Sequence, residues 1–396
     1  MNRPPIQPLK QYLRLPALLF AAALSGCAGV GGGTSNDTLV VRIGHVGPTT
    51  GALAHYGLDN QYGAQLAVDD ANNRNLRIRG KSVRFELIAR DDQSDPRTAV
   101  KVAQELVQAS VAGVVGHLNS GTSILASSVY NAAGLVQITP SATNPKLTRQ
   151  GYTGVFRMVA DDARLAEGLA RHAVSTLRAS RIVVIDDQST YGNGLATSFA
   201  TAVAAQGGTV ISRLSTQDKA TTFDTVLAGL KKAAPDLVFY GGLDAVAGPL
   251  IKQMRAQGLT ARVMGGDGIC SDGLPALAGG TLGPDDVICA EAGGIETSLV
   301  PALTAFKTRF QQRFGKNVQV YAPYAYDAVG VMVDAMVSAQ SIVPANYLPL
   351  LKSSVYSGLS GTVSFDSQGD VRNGAMSLYT YQGTTRQLAG VTRISP

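Results

Sequence analysis

Apolar and polar positions alternate along most of the chain in a way that predicts strands and helices in turn. Residues 39–43 and 83–89 are short apolar runs, which are typical of buried strands. Between them, apolar residues recur every three or four positions, as at Ala64 and Ala67, which is helical spacing. A second series of the same kind begins after Arg157. The pattern predicts a doubly wound α/β protein with two sheets.

The last third of the chain departs from this alternation. Residues 301–314 and 324–339 have the spacing of long amphipathic helices. Residues 361–381 alternate as antiparallel strands do, around a polar turn at residues 367–370. We therefore expect the chain to end in two helices and a hairpin.

Polar loops follow two consecutive predicted strands between residues 111 and 145. The strands at 112–115 and 135–139 flank a segment of helical spacing, which predicts that they lie parallel. Ligands of open α/β sheets bind outside the carboxyl ends of such strands, and free N–H groups where a helix begins favour an anion. Without Lys or Arg in either loop, the sequence predicts a site for a small carboxylate, with ordinary βα turns as the alternative. The loop residues are Asn119, Ser120, Gly121, Thr122, Ser141, Ala142 and Thr143.

Catalytic chemistry is poorly represented. The four histidines have no metal-ligand spacing with another His, Cys or carboxylate, and no G-x-S-x-G elbow occurs. The glycines after Tyr191 open a predicted helix, but their pattern is incomplete for a dinucleotide. We expect a protein that is not an enzyme and that uses neither a metal nor a cofactor.

Two residues of the second series are candidates for a ligand site. Tyr191 lies in a tight turn after a predicted strand, where it can face a cleft. Asp267 lies among glycines at the end of another strand, and its carboxylate there suits an ammonium group. A Gly-rich turn that contains an Asp is an equally good account of the second pattern.

The first 26 residues resemble a bacterial lipoprotein signal. Three basic residues precede an apolar run at residues 15–24, and Leu24-Ser25-Gly26 leads directly to Cys27. Cleavage before Cys27 and its acylation would anchor the protein to a membrane surface, with a simple soluble signal as the alternative. Loss of residues 1–26 lowers the formal net charge from +6 to +3, which leaves little support for nucleic-acid binding.

The two remaining cysteines are Cys270 and Cys289. In an exported protein, such a pair forms a disulfide more often than not. We therefore expect a disulfide within the second series of strands.

Six ordered motifs resemble those of the leucine/isoleucine/valine-binding proteins that serve ABC importers of branched-chain amino acids. They are GALAHYG (51–57), DDQSDP (91–96), GHL (116–118), TPSAT (139–143), YGNGL (191–195) and YGG (240–242). The resemblance covers nearly the whole mature chain. It implies an α/β fold of two doubly wound αβα lobes joined by a three-segment hinge, the fold of type 1 periplasmic binding proteins.

The resemblance also implies a division of the chain. Residues 1–26 would be the signal peptide and residues 27–38 a flexible tether. The N-terminal lobe would contain residues 39–158 and 292–362, and the C-terminal lobe residues 159–291 and 363–396. Such a protein would be a monomer that captures a small molecule between its lobes and delivers it to a permease.

Particular residues take on roles by the same resemblance. Ser120 and Thr143 would bind the α-carboxylate of an amino acid, and the Ser141 carbonyl and Asp267 its ammonium group. The remaining contacts would come from Tyr56, Asn119, Ala142, Tyr191, Leu243 and Tyr321.

Two departures from the family pattern concern the ligand and its surroundings. Relatives often have Glu at the position of Asp267 and an aromatic residue at that of Leu243, so an amide, a urea or an aromatic acid is an alternative ligand. Relatives with a disulfide near the first loop have Cys at the positions of Ser94 and Asn119, so that disulfide is absent here. A sensor that signals to a membrane receptor is the alternative to transport.

Overall fold

The computed structural model describes residues 38–294, 297–372 and 374–393. The predicted signal peptide, Cys27 and all of the tether except Thr38 lie outside these residues. None of the described helices has the length and hydropathy of a segment that crosses a bilayer.

The first sheet is built from the early βα units. Its strands are β1 (Leu39–Gly47), β2 (Arg77–Ile78), β3 (Lys81–Asp91), β4 (Gly113–Gly116), β5 (Gln137–Thr139) and β6 (Val155–Arg157). They lie in the order β2-β3-β1-β4-β5-β6, and every pair except β2 with β3 is parallel. The carboxyl ends of β1, β4 and β5 therefore meet at one edge, as the polar loops require.

The second sheet is formed by the middle of the chain and its end. Its strands are β7 (Ile182–Asp186), β8 (Val210–Ser215), β9 (Leu237–Gly241), β10 (Arg262–Gly265), β11 (Val287–Glu291), β14 (Ala375–Gln382) and β15 (Thr385–Arg393). The order is β15-β14-β11-β10-β9-β7-β8, with β14 and β15 antiparallel to their neighbours. A separate hairpin pairs β12 (Tyr356–Gly358) with β13 (Gly361–Val363).

Helices flank the two sheets. They are α1 (Ala54–Asn73), α2 (Pro96–Gln108), α3 (Ser120–Ala132), α4 (Asp162–Arg171), α5 (Thr190–Ala205), α6 (Asp224–Ala233), α7 (Asp244–Ala256), α8 (Leu274–Leu277), α9 (Val300–Phe314), α10 (Ala322–Ser338) and α11 (Pro344–Lys352). We call the part built on the first sheet, with α1–α3 and α9–α11, the first lobe, and the part built on the second sheet the second lobe. The predicted fold class is confirmed, and the boundaries predicted for the lobes stay a prediction.

The predicted hairpin at the chain end is present only next to its turn. Around residues 367–370, Phe365 bridges Val371 antiparallel, and the N–H groups of Asp366 and Arg372 donate to the carbonyls of Asp370 and Ser364. The longer pairing predicted over residues 361–381 is wrong, because β13 pairs with β12, and β14 pairs with β15. The sequence pattern did not reveal β15, an edge strand on which the apolar residues Leu388 and Val391 are exposed.

A buried ion pair fixes the chain where it leaves the first sheet. Arg157, the last residue of β6, is fully buried, and its Nη2 lies 2.7 Å from Oδ1 of Asp370. Its Nη1 donates to the carbonyls of Ala142 and Asn144, so it also holds the loop after β5. Burial alone would raise the pKa of Asp370, but the charge of Arg157 holds that pKa below its usual value.

A disulfide joins two parts of the second lobe. Cys270 follows β10 and Cys289 lies in β11, and their sulfur atoms are 2.07 Å apart. Both residues are fully buried among the apolar side chains of that lobe.

We expect Asp370→Ala to lower the free energy of unfolding by about 3–5 kcal/mol, because it leaves the buried Arg157 without its counter-charge. The matched control is Asp285→Ala, which removes a mostly exposed carboxylate from Arg262 and should cost less than about 1 kcal/mol. Urea unfolding of both variants at pH 7 measures the difference. Equal, small losses would contradict a structural role for the buried pair.

Candidate functional site

A cavity of about 490 Å³ lies between the two lobes. The first residues of α2, α3 and α5 line it, as do the residues on either side of the start of α7. Because free N–H groups point out of a helix at its start, these ends make the cavity favourable for negative charge. These helices follow strands of the two sheets, so the cavity lies beside the carboxyl ends of those strands.

Six of the residues predicted for the site line this cavity. They are Asn119, Ser120, Gly121 and Thr122 from the first lobe, and Tyr191 and Leu243 from the second. Sequence reasoning assigned no binding role to the other walls, although residues 51–53, 93, 94 and 96 belong to two of the family motifs. The polar ones among these walls are Thr50, Gln93, Ser94, Asp187, Gln188, Ser189, Thr190, Asp218 and Lys219.

The other predicted residues lie deeper, in a buried polar cluster beside Tyr191. The Tyr191 hydroxyl donates to Oδ1 of Asp267 at 2.7 Å, and the Tyr321 hydroxyl donates to Oδ2 at 2.9 Å. The Tyr56 hydroxyl donates to the carbonyl of Gly268 at 3.3 Å. Burial raises the pKa of Asp267 to about 6, even though the two tyrosine hydroxyls act to lower it.

The loops after β4 and β5 supply hydroxyl groups to this cluster. Ser120 Oγ accepts a hydrogen bond from the N–H of Asn144 at 3.2 Å, and Ser141 Oγ donates to the carbonyl of Leu118 at 3.0 Å. Thr143 is buried, and its hydroxyl makes no well-formed hydrogen bond. Ala142, which lies between Ser141 and Thr143 in the chain, is also buried, and its N–H donates to the hydroxyl oxygen of Thr139. A buried hydroxyl without a partner is suited to a polar ligand atom.

A second buried carboxylate, on Asp162, faces the same cluster. Both of its oxygens are buried without a well-formed hydrogen bond, although the Thr143 hydroxyl lies beside it. Burial, followed by the charge of Asp267, raises the pKa of Asp162 well above its usual value. Sequence reasoning missed this residue. Asp161 beside it caps α4 by accepting from the N–H of Arg164, and nothing in the sequence distinguishes the inward carboxylate from the capping one.

A third carboxylate, on Asp59, positions one of the tyrosines. Asp59 lies in α1 and accepts from four successive backbone N–H groups, those of residues 319–322, at 2.7–3.1 Å. These bonds hold the start of α10 and therefore Tyr321, which directly precedes that helix. Asp59 follows Tyr56 by three residues, so one turn of α1 carries both a predicted site residue and the support of another.

A hydrogen bond joins two loops at the mouth of the cavity, at the two positions where some relatives have a disulfide. Ser94 Oγ donates to Oδ1 of Asn119 at 3.1 Å, which links the loop after β3 to the start of α3. No group of three or more His, Cys, Asp or Glu side chains suited to a metal ion occurs in the part of the chain that the structure describes.

The sequence model of the family described as periplasmic binding protein matches residues 40–386. The chain belongs to this family. An amino acid binding protein of Pseudomonas aeruginosa is 33% identical over 355 residues, which are 89% of this chain and 92% of that protein. A Leu/Ile/Val-binding protein homolog of Brucella abortus is 32% identical, over 92% of this chain and 96% of its own length. The resemblance to leucine/isoleucine/valine-binding proteins is thus confirmed.

Solved structures show the same fold. The isoleucine complex of the branched-chain amino acid binding protein LivJ from Streptococcus pneumoniae superposes with a TM-score of 0.79, at 24% identity, over 90% of this chain and all of that one. The leucine binding protein LivK from Thermotoga maritima gives a TM-score of 0.80 at 23% identity, over 90% and 99% of the two chains. Both structures belong to the type of two-lobed α/β protein described above.

We expect Asp59→Ala to lower the free energy of unfolding by about 1–3 kcal/mol, because it leaves buried backbone N–H groups at the start of α10 unsatisfied. Asp69→Ala is the control, since Asp69 lies in the same helix but is only partly buried, with its side chain 32% exposed, and pairs with the exposed Arg313. Thermal and urea unfolding report the loss. A cost no larger than that of the control would show that α10 does not depend on this carboxylate.

Proposed function

We propose that this protein binds a small amino acid between its two lobes. The observation that carries the proposal is that two buried carboxylates, on Asp162 and Asp267, and the buried, unpartnered hydroxyl of Thr143 occur in one cluster. Buried carboxylates need a cation or several hydrogen-bond donors, and an ammonium group supplies both. The carboxylate of the amino acid itself needs N–H and O–H donors, which the start of α3 supplies nearby.

In this arrangement the two ends of the ligand are bound by different elements. The α-carboxylate accepts from Ser120, from Thr143 and from backbone N–H groups at the start of α3. The ammonium group donates to Asp267 and Asp162 and to the Ser141 carbonyl. The side chain then points toward Tyr56, Asn119, Tyr191, Leu243 and Tyr321.

The names of the relatives support an aliphatic side chain. A third relative, from Pseudomonas aeruginosa, is named as binding leucine, isoleucine, valine, threonine and alanine, and is 30% identical over 93% of this chain. Leu243 and the rings of Tyr56 and Tyr191 offer apolar surface beside the polar cluster. We therefore place branched-chain and other aliphatic amino acids first among the ligands.

We also infer the setting in which the protein works. The predicted lipid anchor at Cys27 would hold it outside the cytoplasmic membrane, in the periplasm or at the cell surface. There it would deliver its ligand to the permease of an ABC importer, as a monomer and without a reaction of its own. The names of its relatives support a transport role over the sensor alternative.

The test is thermal unfolding of the purified protein, freed of carried-over ligand, with each common amino acid in turn. A ligand at about one hundred times its Kd should add about 2.7 kcal/mol to the free energy of unfolding. With the ligand that binds, Ser120→Ala and Thr143→Ala should each weaken binding by about 1–3 kcal/mol. Ser128→Ala is the control, because its hydroxyl is exposed on the same helix as Ser120. Absence of binding by every amino acid at millimolar concentration would reject the proposal.

A second candidate keeps the fold and changes the ligand to an amide, a urea or an aromatic acid. The size of the cavity favours it, because about 490 Å³ lies within the range of about 300–1,000 Å³ that holds drug-sized ligands. A binding protein from R. palustris, solved with benzoate, also has this fold, at a TM-score of 0.77. These ligands lack an ammonium group, so Asp267→Asn should leave their affinity nearly unchanged and weaken an amino acid by more than tenfold.

We expect the affinity for an amino acid to depend on pH below about 6. An ammonium group binds the ionised form of Asp267, whose pKa burial raises to about 6. Affinity should therefore be highest above that pH and fall by up to about tenfold for each pH unit below it, as the carboxylate takes up a proton. Calorimetric titrations between pH 4.5 and pH 7 measure this. In Asp267→Asn the fall should be smaller, and a fall of equal size would assign the proton to another group.

A further inference from the structure

His55 and Asp244 form an ionic contact between the two lobes. His55 is the second residue of α1 in the first lobe, and Asp244 is the first residue of α7 in the second. Nε2 of His55 lies 3.0 Å from Oδ2 of Asp244. The starts of two helices from different lobes are therefore joined by one pair of side chains.

The two partners differ in their exposure. The Asp244 side chain is 1% exposed and that of His55 is 32% exposed. Ser271 Oγ also donates to Oδ2 of Asp244, while Oδ1 is buried without a partner. A carboxylate in this position needs a positive charge, because one neutral donor compensates only part of its lost hydration. The partly exposed histidine can take up a proton from solvent and supply that charge.

We propose that the contact between His55 and Asp244 is a proton-dependent latch that holds the two lobes together. When the lobes touch, the imidazolium pairs with the buried carboxylate. When they separate, the imidazolium is left at the start of α1, where the helix dipole disfavours a positive charge. Proton uptake by His55 therefore favours the closed arrangement over the open one.

The charged and titratable groups around His55 agree with this direction. Burial alone would lower the pKa of His55, but the hydrogen bond and charge of Asp244, together with the charge of Asp59 in α1, raise it above its usual value. The start of α7 stabilises the carboxylate of Asp244 from the other side. Because contact raises the pKa, the stabilisation of the closed form is complete below about pH 6.5, the usual value, and is lost as the pH rises through the raised value.

The latch lies next to the polar cluster. The His55 and Tyr56 rings are in contact, with centroids 4.1 Å apart. The Tyr56 hydroxyl reaches the carbonyl of Gly268, which follows Asp267 in the second lobe. A second contact between the lobes, from Asn144 Nδ2 to the carbonyl of Thr190 at 2.9 Å, carries no charge and should not respond to pH.

The experiment measures lobe closure by small-angle X-ray scattering of the purified protein at pH 6 and pH 8.5. We expect the wild type to have the smaller radius of gyration at pH 6, with a closed-to-open ratio about three- to tenfold higher there. His55→Gln cannot carry a charge and should be equally open at both pH values. His55→Arg is always charged and should be equally closed at both.

His172→Gln is the control for the loss of a histidine, because His172 is half-buried in the second lobe, where the charge of Arg262 in the same lobe acts on it. It should retain the response of the wild type. A response that persists in His55→Gln, or a wild type with the same radius at both pH values, would overturn the proposal. No amino acid is present in this measurement, so its outcome is independent of which solute the cleft binds.

Discussion

The arrangement of the cleft depends on the buried carboxylate of Asp267 and its need for hydrogen bonds. That carboxylate lies at the end of a strand of the second sheet, yet one of its two tyrosine donors, Tyr321, comes from the start of α10 in the first lobe. A buried charge without donors would cost several kcal/mol, so this hydrogen bond stabilises the arrangement in which the two lobes are in contact. Tyr321 in turn is held in place because Asp59 accepts hydrogen bonds from the four backbone N–H groups of residues 319–322. The hydrogen bonding of Asp267 therefore depends, through Tyr321, on Asp59. Both carboxylates accept hydrogen bonds from residues that lie far from them in the chain.

Burial of acids also sets the electrostatic character of the cleft. Helix starts from both lobes converge on it and attract negative charge, whereas Asp162 and Asp267 attract positive charge a short distance away. A molecule that carries both charges at neighbouring atoms satisfies the two regions at once, which a simple anion or cation does not. This complementarity accounts for the concentration of ionisable side chains in one place, although the described residues include no group of three or more His, Cys, Asp or Glu suited to a metal ion.

Contacts between the lobes fall into two physical classes. Neutral ones, such as that of Asn144 with Thr190, depend on geometry alone. Those that include an ionisable group, such as His55 with Asp244 and Tyr321 with Asp267, depend also on the proton. A two-lobed protein whose interface contains both classes can have its closure adjusted by solution conditions without any change in the residues that contact a ligand.

The local pattern of the sequence determined the fold class, the parallel direction of β4 and β5 and the positions of the polar loops. These follow from short-range physics, because strand and helix periodicity is written in neighbouring residues. It also indicated Asp267 and Tyr191, which lie where strands end. The roles suggested for Tyr56, Leu243 and Tyr321 came from family resemblance instead. The pairing of β14 with β15, the inward carboxylate of Asp162 and the contacts of Asp59 and His55 were decided only by tertiary structure. Each of these depends on which distant segment supplies the partner or the burial, and a charged residue has the same appearance in a sequence whether it faces water or a buried neighbour.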